Sequence, residues 1–167
     1  LNWIDRRAVT KPDLTILDLG CGQARNFVKL LQTHPQMRYV GIEPSPTDCE
    51  AARRNLAGLN ATIHNGYAYD VFGKLVQEPF DLVVSFSVME HVYQRVAYLQ
   101  SVKSCLKPDG YALINYDAGH FVGQLDLRER LKNIIGPLLA RFGRERYYQS
   151  FVREADFQAM VKQVGLK

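Results

Sequence analysis

Cysteine is scarce in this chain of 167 residues. Cys21, Cys49 and Cys105 lie far apart and in no metal-ligand spacing, which excludes a disulfide-stapled scaffold and points to free thiols in a reducing, cytoplasmic compartment. No apolar run reaches the roughly 18 residues that a membrane-spanning helix needs. There is no internal repeat and no low-complexity tract, and Leu1–Arg7 reads as the end of something rather than a signal peptide. With 12 Gly and 7 Pro, the chain is neither collagenous nor disordered. What remains is 47% hydrophobic and 23% charged, the profile of one soluble globular domain. A domain of this size buries roughly 68–70% of its unfolded surface, so its core needs no metal or disulfide.

The net charge of +4 is uneven. Residues 1–119 carry twelve basic and twelve acidic side chains, whereas residues 120–167 carry nine basic and five acidic. The excess sits in one segment, where it serves either a local anionic contact or, more plainly, a solvated helix face.

Apolar strand runs alternate with helical patterns from Leu14 to Asn115. Strands are expected at Thr15–Leu19, Arg38–Ile42, Ala61–His64, Phe80–Phe86 and Tyr111–Asn115. Between them, Ala24, Phe27, Leu30 and Leu31 recur at helical spacing, and Ser45 caps a helix with Pro46 at its first position. Val92, Val96, Leu99, Val102 and Leu106 share one side of a further helix, and Lys107–Gly110 is a turn. Strands apolar on both faces, alternating with helices, imply an α/β fold with a parallel sheet between helical layers. After Asn115 the rhythm changes. Gly136-Pro137 is expected to break a helix over Phe121–Phe142. Phe157, Met160, Val161 and Val164 form an amphipathic helix closed by Gly165.

In such a sheet, ligands bind at the carboxyl ends of the strands, where the strand order reverses. Three strand ends here carry chemistry. Gly20 and Gly22 let backbone approach a ligand, and the following helix offers free N–H groups to an anion. A glycine pair alone also fits a tight turn, and Arg25 stands where a dinucleotide fingerprint has its last glycine. Glu43 ends strand two, where a carboxylate can accept both ribose hydroxyls. Ser85–His91 follows strand four and faces the reacting part of a bound ligand.

Four of these segments are jointly recognisable. Ile16-Leu-Asp-Leu-Gly-Cys-Gly22 resembles the first motif of class I S-adenosylmethionine-dependent methyltransferases, and Val40-Gly-Ile-Glu-Pro-Ser45 the second. Phe80–Val92 resembles the fourth-strand motif of the small-molecule branch, and Leu106–Tyr111 the turn into strand five. The resemblance spans residues 13–117, in order and at family spacing. It implies a Rossmann-like three-layer sandwich with parallel strands in the order 3-2-1-4-5, and S-adenosyl-L-methionine as cofactor. The cofactor-binding residues it implies are Asp18, Gly20, Cys21, Gly22, Glu43, Pro44, Gly66, Tyr67, Ala68, Ser85, Phe86 and Ser87. The reaction it implies is in-line methyl transfer to a small-molecule acceptor, with His91 and His120 as candidate bases.

The departures from the family are specific. Ala24 replaces a customary glycine. Gly66-Tyr67-Ala68 lacks the aspartate that reaches the adenine amino group, leaving Tyr67 or Asp70 for that contact. Ser87 stands where some relatives have the first glutamate of a metal-binding Glu-x-x-Glu-His, so no metal is expected. The family's final antiparallel strand pair has no sequence to supply it after Leu166, and the helix before the first motif is cut short. The expectation is one incomplete domain. In it, residues 13–117 bind cofactor, 119–150 form an acceptor-side cover, and 151–167 form a C-terminal helix. Arg128, Arg130, Lys132, Arg141, Arg144 and Arg146 of the cover suit an anionic acceptor. Nucleic acid is not expected, because basic and aromatic residues are not interleaved. The open edge of strand five should pair with a neighbouring molecule or be covered by the segment after Gly119. A catalytically silent scaffold and a nicotinamide-dependent oxidoreductase are the rival readings.

Overall fold

A computed structural model describes residues 1–69, 71, 73–116, 135–141 and 148–166. Five strands form one parallel sheet: β1 (Thr15–Leu19), β2 (Arg38–Glu43), β3 (Ala61–Asn65), β4 (Phe80–Phe86) and β5 (Leu106–Asn115), in the order β3-β2-β1-β4-β5. The order reverses at β1, between β2 and β4, as the motifs imply. Among the described residues, the helices of nine residues or more are α1 (Asn2–Thr10), α2 (Arg25–Thr33), α3 (Pro46–Asn55), α4 (Arg95–Ser104) and α5 (Glu154–Val164). Among the described residues, none of them is long and apolar enough to cross a membrane.

The pleat sorts the apolar strand residues into two cores. Ile16, Leu82 and Val84 meet Ile4 and Ala8 of α1, Phe27 and Leu31 of α2, and Ala52 of α3. Leu17, Leu19, Ile42 and Val83 meet Tyr98, Leu99 and Val102 of α4, together with Val152 and Val164. Each fully buried side chain of this kind contributes about 1.5–3 kcal/mol of transfer free energy. The caps hold as the sequence suggests. The Ser45 hydroxyl accepts the Asp48 N–H at 3.3 Å, and Gly165 closes α5 with φ of +69°.

Some details differ from expectation. Lys107–Gly110 is not a turn before β5 but a bulge within it: Leu106 pairs with Phe80 and Tyr111 already pairs with Leu82. The chain fits only because residue 110 has no side chain, since a Cβ there would lie 2.9 Å from the Phe80 carbonyl oxygen. The helix after β4 starts later than its apolar pattern. A 3-10 turn at Met89–His91 precedes α4, Val92 lies between them, and Leu106 opens β5 instead of extending the helix. Residues 135–141 are helical and include Gly136 and Pro137; the rest of the helix expected over 121–142 lies outside the described residues.

Asp81 ties the amino end of the sheet together. Its carboxylate accepts from Lys11 Nζ at 2.5 Å, Lys107 Nζ at 3.0 Å, and the Thr15 N–H and hydroxyl at 3.0 and 2.8 Å. Burial alone would raise this carboxyl, but those donors outweigh it and hold it well below the usual carboxylate range. Beside it, Tyr111 of β5 is half-exposed, with Trp3 5.5 Å away and the Arg7 guanidinium over its ring. Among the described residues, no strand pairs with the outer edge of β5 and none follows Asn115.

Candidate active site

The carboxyl ends of β1, β2 and β4 converge on Gly20. Its φ is +76°, and a Cβ there would lie 2.5 Å from Val88 Cγ2, so the strand-four loop packs against bare backbone. Gly22 is also left-handed (φ +53°), but a Cβ there would meet nothing within 4 Å, which leaves open space beside the turn. Ala24 adopts φ +53° as the residue before α2. An alanine in that region costs roughly 1–2 kcal/mol that a glycine would not. The perturbation is therefore local, and the turn keeps its course.

Glu43 is the best-positioned group in the region. It is buried, and each carboxylate oxygen accepts one backbone N–H: Oε2 from Gly22 at 3.0 Å and Oε1 from Ser45 at 2.8 Å. Two bonds fix the plane of the carboxylate and leave each oxygen a further lone pair. Asp18, buried on β1, accepts the Tyr39 hydroxyl at 2.7 Å. Burial pushes the Asp18 carboxyl up to about 7, the Tyr39 bond works against that shift, and the charge of Glu43 adds to it. Burial, with the same two carboxylates, also pushes the Cys21 thiol far up. Cys21 Sγ fills the space left by Gly41, where a Cβ would lie only 2.7 Å from the sulfur.

A cavity of about 550 Å³ opens over Glu43. Pro44–Thr47 wall one side, Tyr67–Tyr69 another, and Ser87, Val88, His91, Val92 and Tyr98 a third. A second recess, of about 450 Å³, shares Gly20 and runs past Asp18, Cys21 and Gln23–Phe27 to Phe86. Asp18, Gly20, Cys21, Glu43, Pro44, Tyr67, Ala68, Phe86, Ser87 and His91 thus each border one or both of these recesses. Gly22 lines neither, although a Cβ there would stand in open space.

Two further expected residues, Ser85 and Gly66, line neither recess. The Ser85 side chain is fully buried and accepts the Tyr98 hydroxyl at 2.6 Å, so Tyr98 stands at the wall in its stead. Gly66 is covered by Leu75, which lies 2.9 Å from where its Cβ would be. His120, Asp70 and the basic residues Arg128, Arg130, Lys132, Arg144 and Arg146 lie outside the described residues. Arg141 is exposed.

Sequence reasoning missed Tyr39, Tyr98 and Val88. Tyr39 looks like one more apolar strand residue, and only the β1–β2 register, which pairs it with Ile16, brings it to Asp18. Ser87 is also more than a wall residue: it holds φ +57° without being glycine. Its N–H donates to the Asn115 side-chain oxygen at 2.8 Å and to the Asn115 carbonyl at 3.3 Å, which secures that conformation. Glu90, buried on the 3-10 turn, leaves Oε2 without a hydrogen-bond partner. Among the described residues, no cluster of His, Cys, Asp and Glu is arranged to hold a metal ion.

This sequence and this fold have counterparts among known proteins. A family model described as a methyltransferase domain matches residues 2–167. The chain belongs to this family of methyltransferase domains. It is 33% identical over 103 residues to the ubiquinone biosynthesis O-methyltransferase of Cereibacter sphaeroides, covering 58% of this chain and 38% of that protein. It is 40% identical over 85 residues to the 4-amino-L-phenylalanine/4-methylamino-L-phenylalanine methyltransferase of Streptomyces pristinaespiralis, covering 51% of this chain and 28% of that one. The chain thus matches well under half the length of either relative. The fold of this methyltransferase domain is shared by a TehB-like SAM-dependent methyltransferase from Corynebacterium glutamicum, with a TM-score of 0.66 at 20% identity, covering 96% of this chain and 70% of that one.

Proposed function

We propose that this methyltransferase domain binds S-adenosylmethionine across Gly20 and transfers its methyl group to a small-molecule acceptor. One observation carries the reading: Glu43 presents a carboxylate fixed by two backbone N–H groups at the floor of a cavity. That arrangement fits a ribose, whose two hydroxyls would each meet a free lone pair. Asp18 and the open turn at Gly22 suit the charged amino-acid end, and Tyr67–Tyr69 with Pro44 suit the adenine. The cofactor supplies an electrophilic methyl group on a good, neutral leaving group. The domain's task is then to hold the acceptor in line, exclude water and, where the acceptor is an alcohol or amine, accept its proton at His91. The names of the relatives favour a small acceptor, and the basic excess of residues 120–167 favours an anionic one. The outer edge of β5 is the surface we assign to self-association.

Calorimetric titration with S-adenosylhomocysteine tests the reading. Binding is expected, and Glu43→Ala should weaken it tenfold to a hundredfold, the equivalent of about 1.5–3 kcal/mol for a charge-assisted hydrogen bond. No binding, or binding of a nicotinamide dinucleotide instead, would favour one of the rival classes. An unchanged affinity in the variant would make Glu43 a turn-forming acid only.

A further inference from the structure

His91 is held on one side by a piece of chain far away in sequence. Its Nδ1 lies 3.3 Å from the Tyr148 carbonyl oxygen. A carbonyl only accepts, so this contact is a hydrogen bond only when Nδ1 carries the proton. In the neutral ring, the lone pair then sits on Nε2. An unrestrained neutral imidazole in water favours the opposite tautomer, so the assignment depends on how firmly the carbonyl is placed.

Arg95 holds two residues that follow that carbonyl, Ser150 and Phe151. From the first turn of α4, Arg95 Nε donates to the Met89 carbonyl at 3.2 Å, and Nη1 to the Phe151 carbonyl at 3.2 Å. Its Nη2 donates to the Ser150 carbonyl and hydroxyl at 2.9 and 2.6 Å. One planar guanidinium thus joins the 3-10 turn that carries His91 to the strap at 148–151. The Ser150 N–H adds a bond to the Glu90 carbonyl at 2.8 Å, and the Tyr148 ring meets Tyr93 edge-on at 5.2 Å. Each of these anchors falls on the segment from Met89 to Arg95, with His91 between them.

We propose that Arg95 is a positioning residue: by clamping the 148–151 strap it locks His91 as the Nδ1–H tautomer and so reserves Nε2 as the basic nitrogen at the cavity wall. This rests on the reading of the cavity as the methyl-transfer site. There, the proton of an acceptor O–H or N–H passes to Nε2, giving an imidazolium that keeps its Nδ1–H bond to Tyr148. The electron pair left on the acceptor forms the new bond to carbon, and the pair of the broken C–S bond stays on sulfur. Lysine cannot replace Arg95, because a single ammonium does not span three carbonyls in one plane.

The tautomer can be read without acceptor or cofactor, so the inference stands or falls separately from cofactor binding. The chain is labelled with 15N-histidine, and His91 is assigned by the signals lost in His91→Gln. In long-range 1H–15N spectra of the neutral ring, the unprotonated nitrogen of His91 should couple strongly to both ring C–H protons, which identifies it as Nε2. In Arg95→Ala, the His91 pattern should shift toward the opposite tautomer, while the other histidines stay as they are. Should that variant not fold, Arg95→Lys keeps the charge without the fork and should show the same shift in part. An Nε2–H pattern in the parent chain would overturn the proposal. So would an Nδ1–H pattern that survives in a folded Arg95 variant.

Discussion

At the scale of single residues, the site depends on groups held where they are costly. Asp18 is a buried carboxyl raised to about 7, beside Tyr39, Cys21 and the carboxylate of Glu43. An acid raised on folding binds its proton more tightly in the folded state. Its contribution is therefore most favourable below about pH 4 and erodes as the pH rises to about 7, by roughly 1.4 kcal/mol per unit. Asp18→Asn, which still accepts from Tyr39, should remove that erosion. Urea unfolding of parent and variant should diverge in the variant's favour between about pH 4 and pH 7 and run parallel above. A flat difference would mean that Asp18 ionises as an ordinary carboxyl. Ser87 invites a second measurement. Its left-handed backbone tolerates serine, but a β-branched side chain there is a steric outlier. Ser87→Val should lose about 1–2 kcal/mol of stability, whereas Ser87→Gly should be close to neutral.

At the scale of elements, Asp81 joins four pieces of chain: β4 itself, the start of β1, the residue after α1 and the bulge of β5. Asp81→Ala removes the acceptor for all of them, and about 2–3 kcal/mol should go with it, allowing for the half-exposed lysines. Because the Asp81 carboxyl lies below its unfolded value, its contribution is present above about pH 4 and is lost as the pH falls further. In unfolding measured against pH, the parent's advantage over Asp81→Ala should therefore be constant near neutrality and vanish at the acid end. The elements themselves were largely legible in the sequence. Strands apolar on both faces, such as β4 with Leu82, Val83 and Val84 in a row, can only be central, and glycine pairs mark where such strands end. The bulge was not legible, because Lys107–Gly110 satisfies turn chemistry either way and only pairing with β4 decides it. Ser85 and Tyr98 were likewise hidden. Alternation along β4 tells which face Ser85 takes, but not that α4 brings a hydroxyl to meet it.

At the scale of the whole molecule, the sheet ends at β5 among the described residues, and Tyr111 and Trp3 form an aromatic pair beside that edge. An edge strand with a half-exposed aromatic residue offers both unpaired backbone groups and apolar surface. Sedimentation of the chain should show mass rising with concentration, and Tyr111→Lys should suppress the rise. A parent chain that stays monomeric throughout would mean that its own residues cover the edge.

The contact between Cys21 and Gly41 reaches beyond stability. The sulfur occupies the volume that a side chain at 41 would need, although one position lies in the turn after β1 and the other within β2, and Ile63 crowds the same spot at 2.7 Å. Residue 41 cannot gain a side chain alone. In any lineage carrying this turn, a methyl group gained at 41 calls for room at both 21 and 63, so the three positions should be inherited as a matched set.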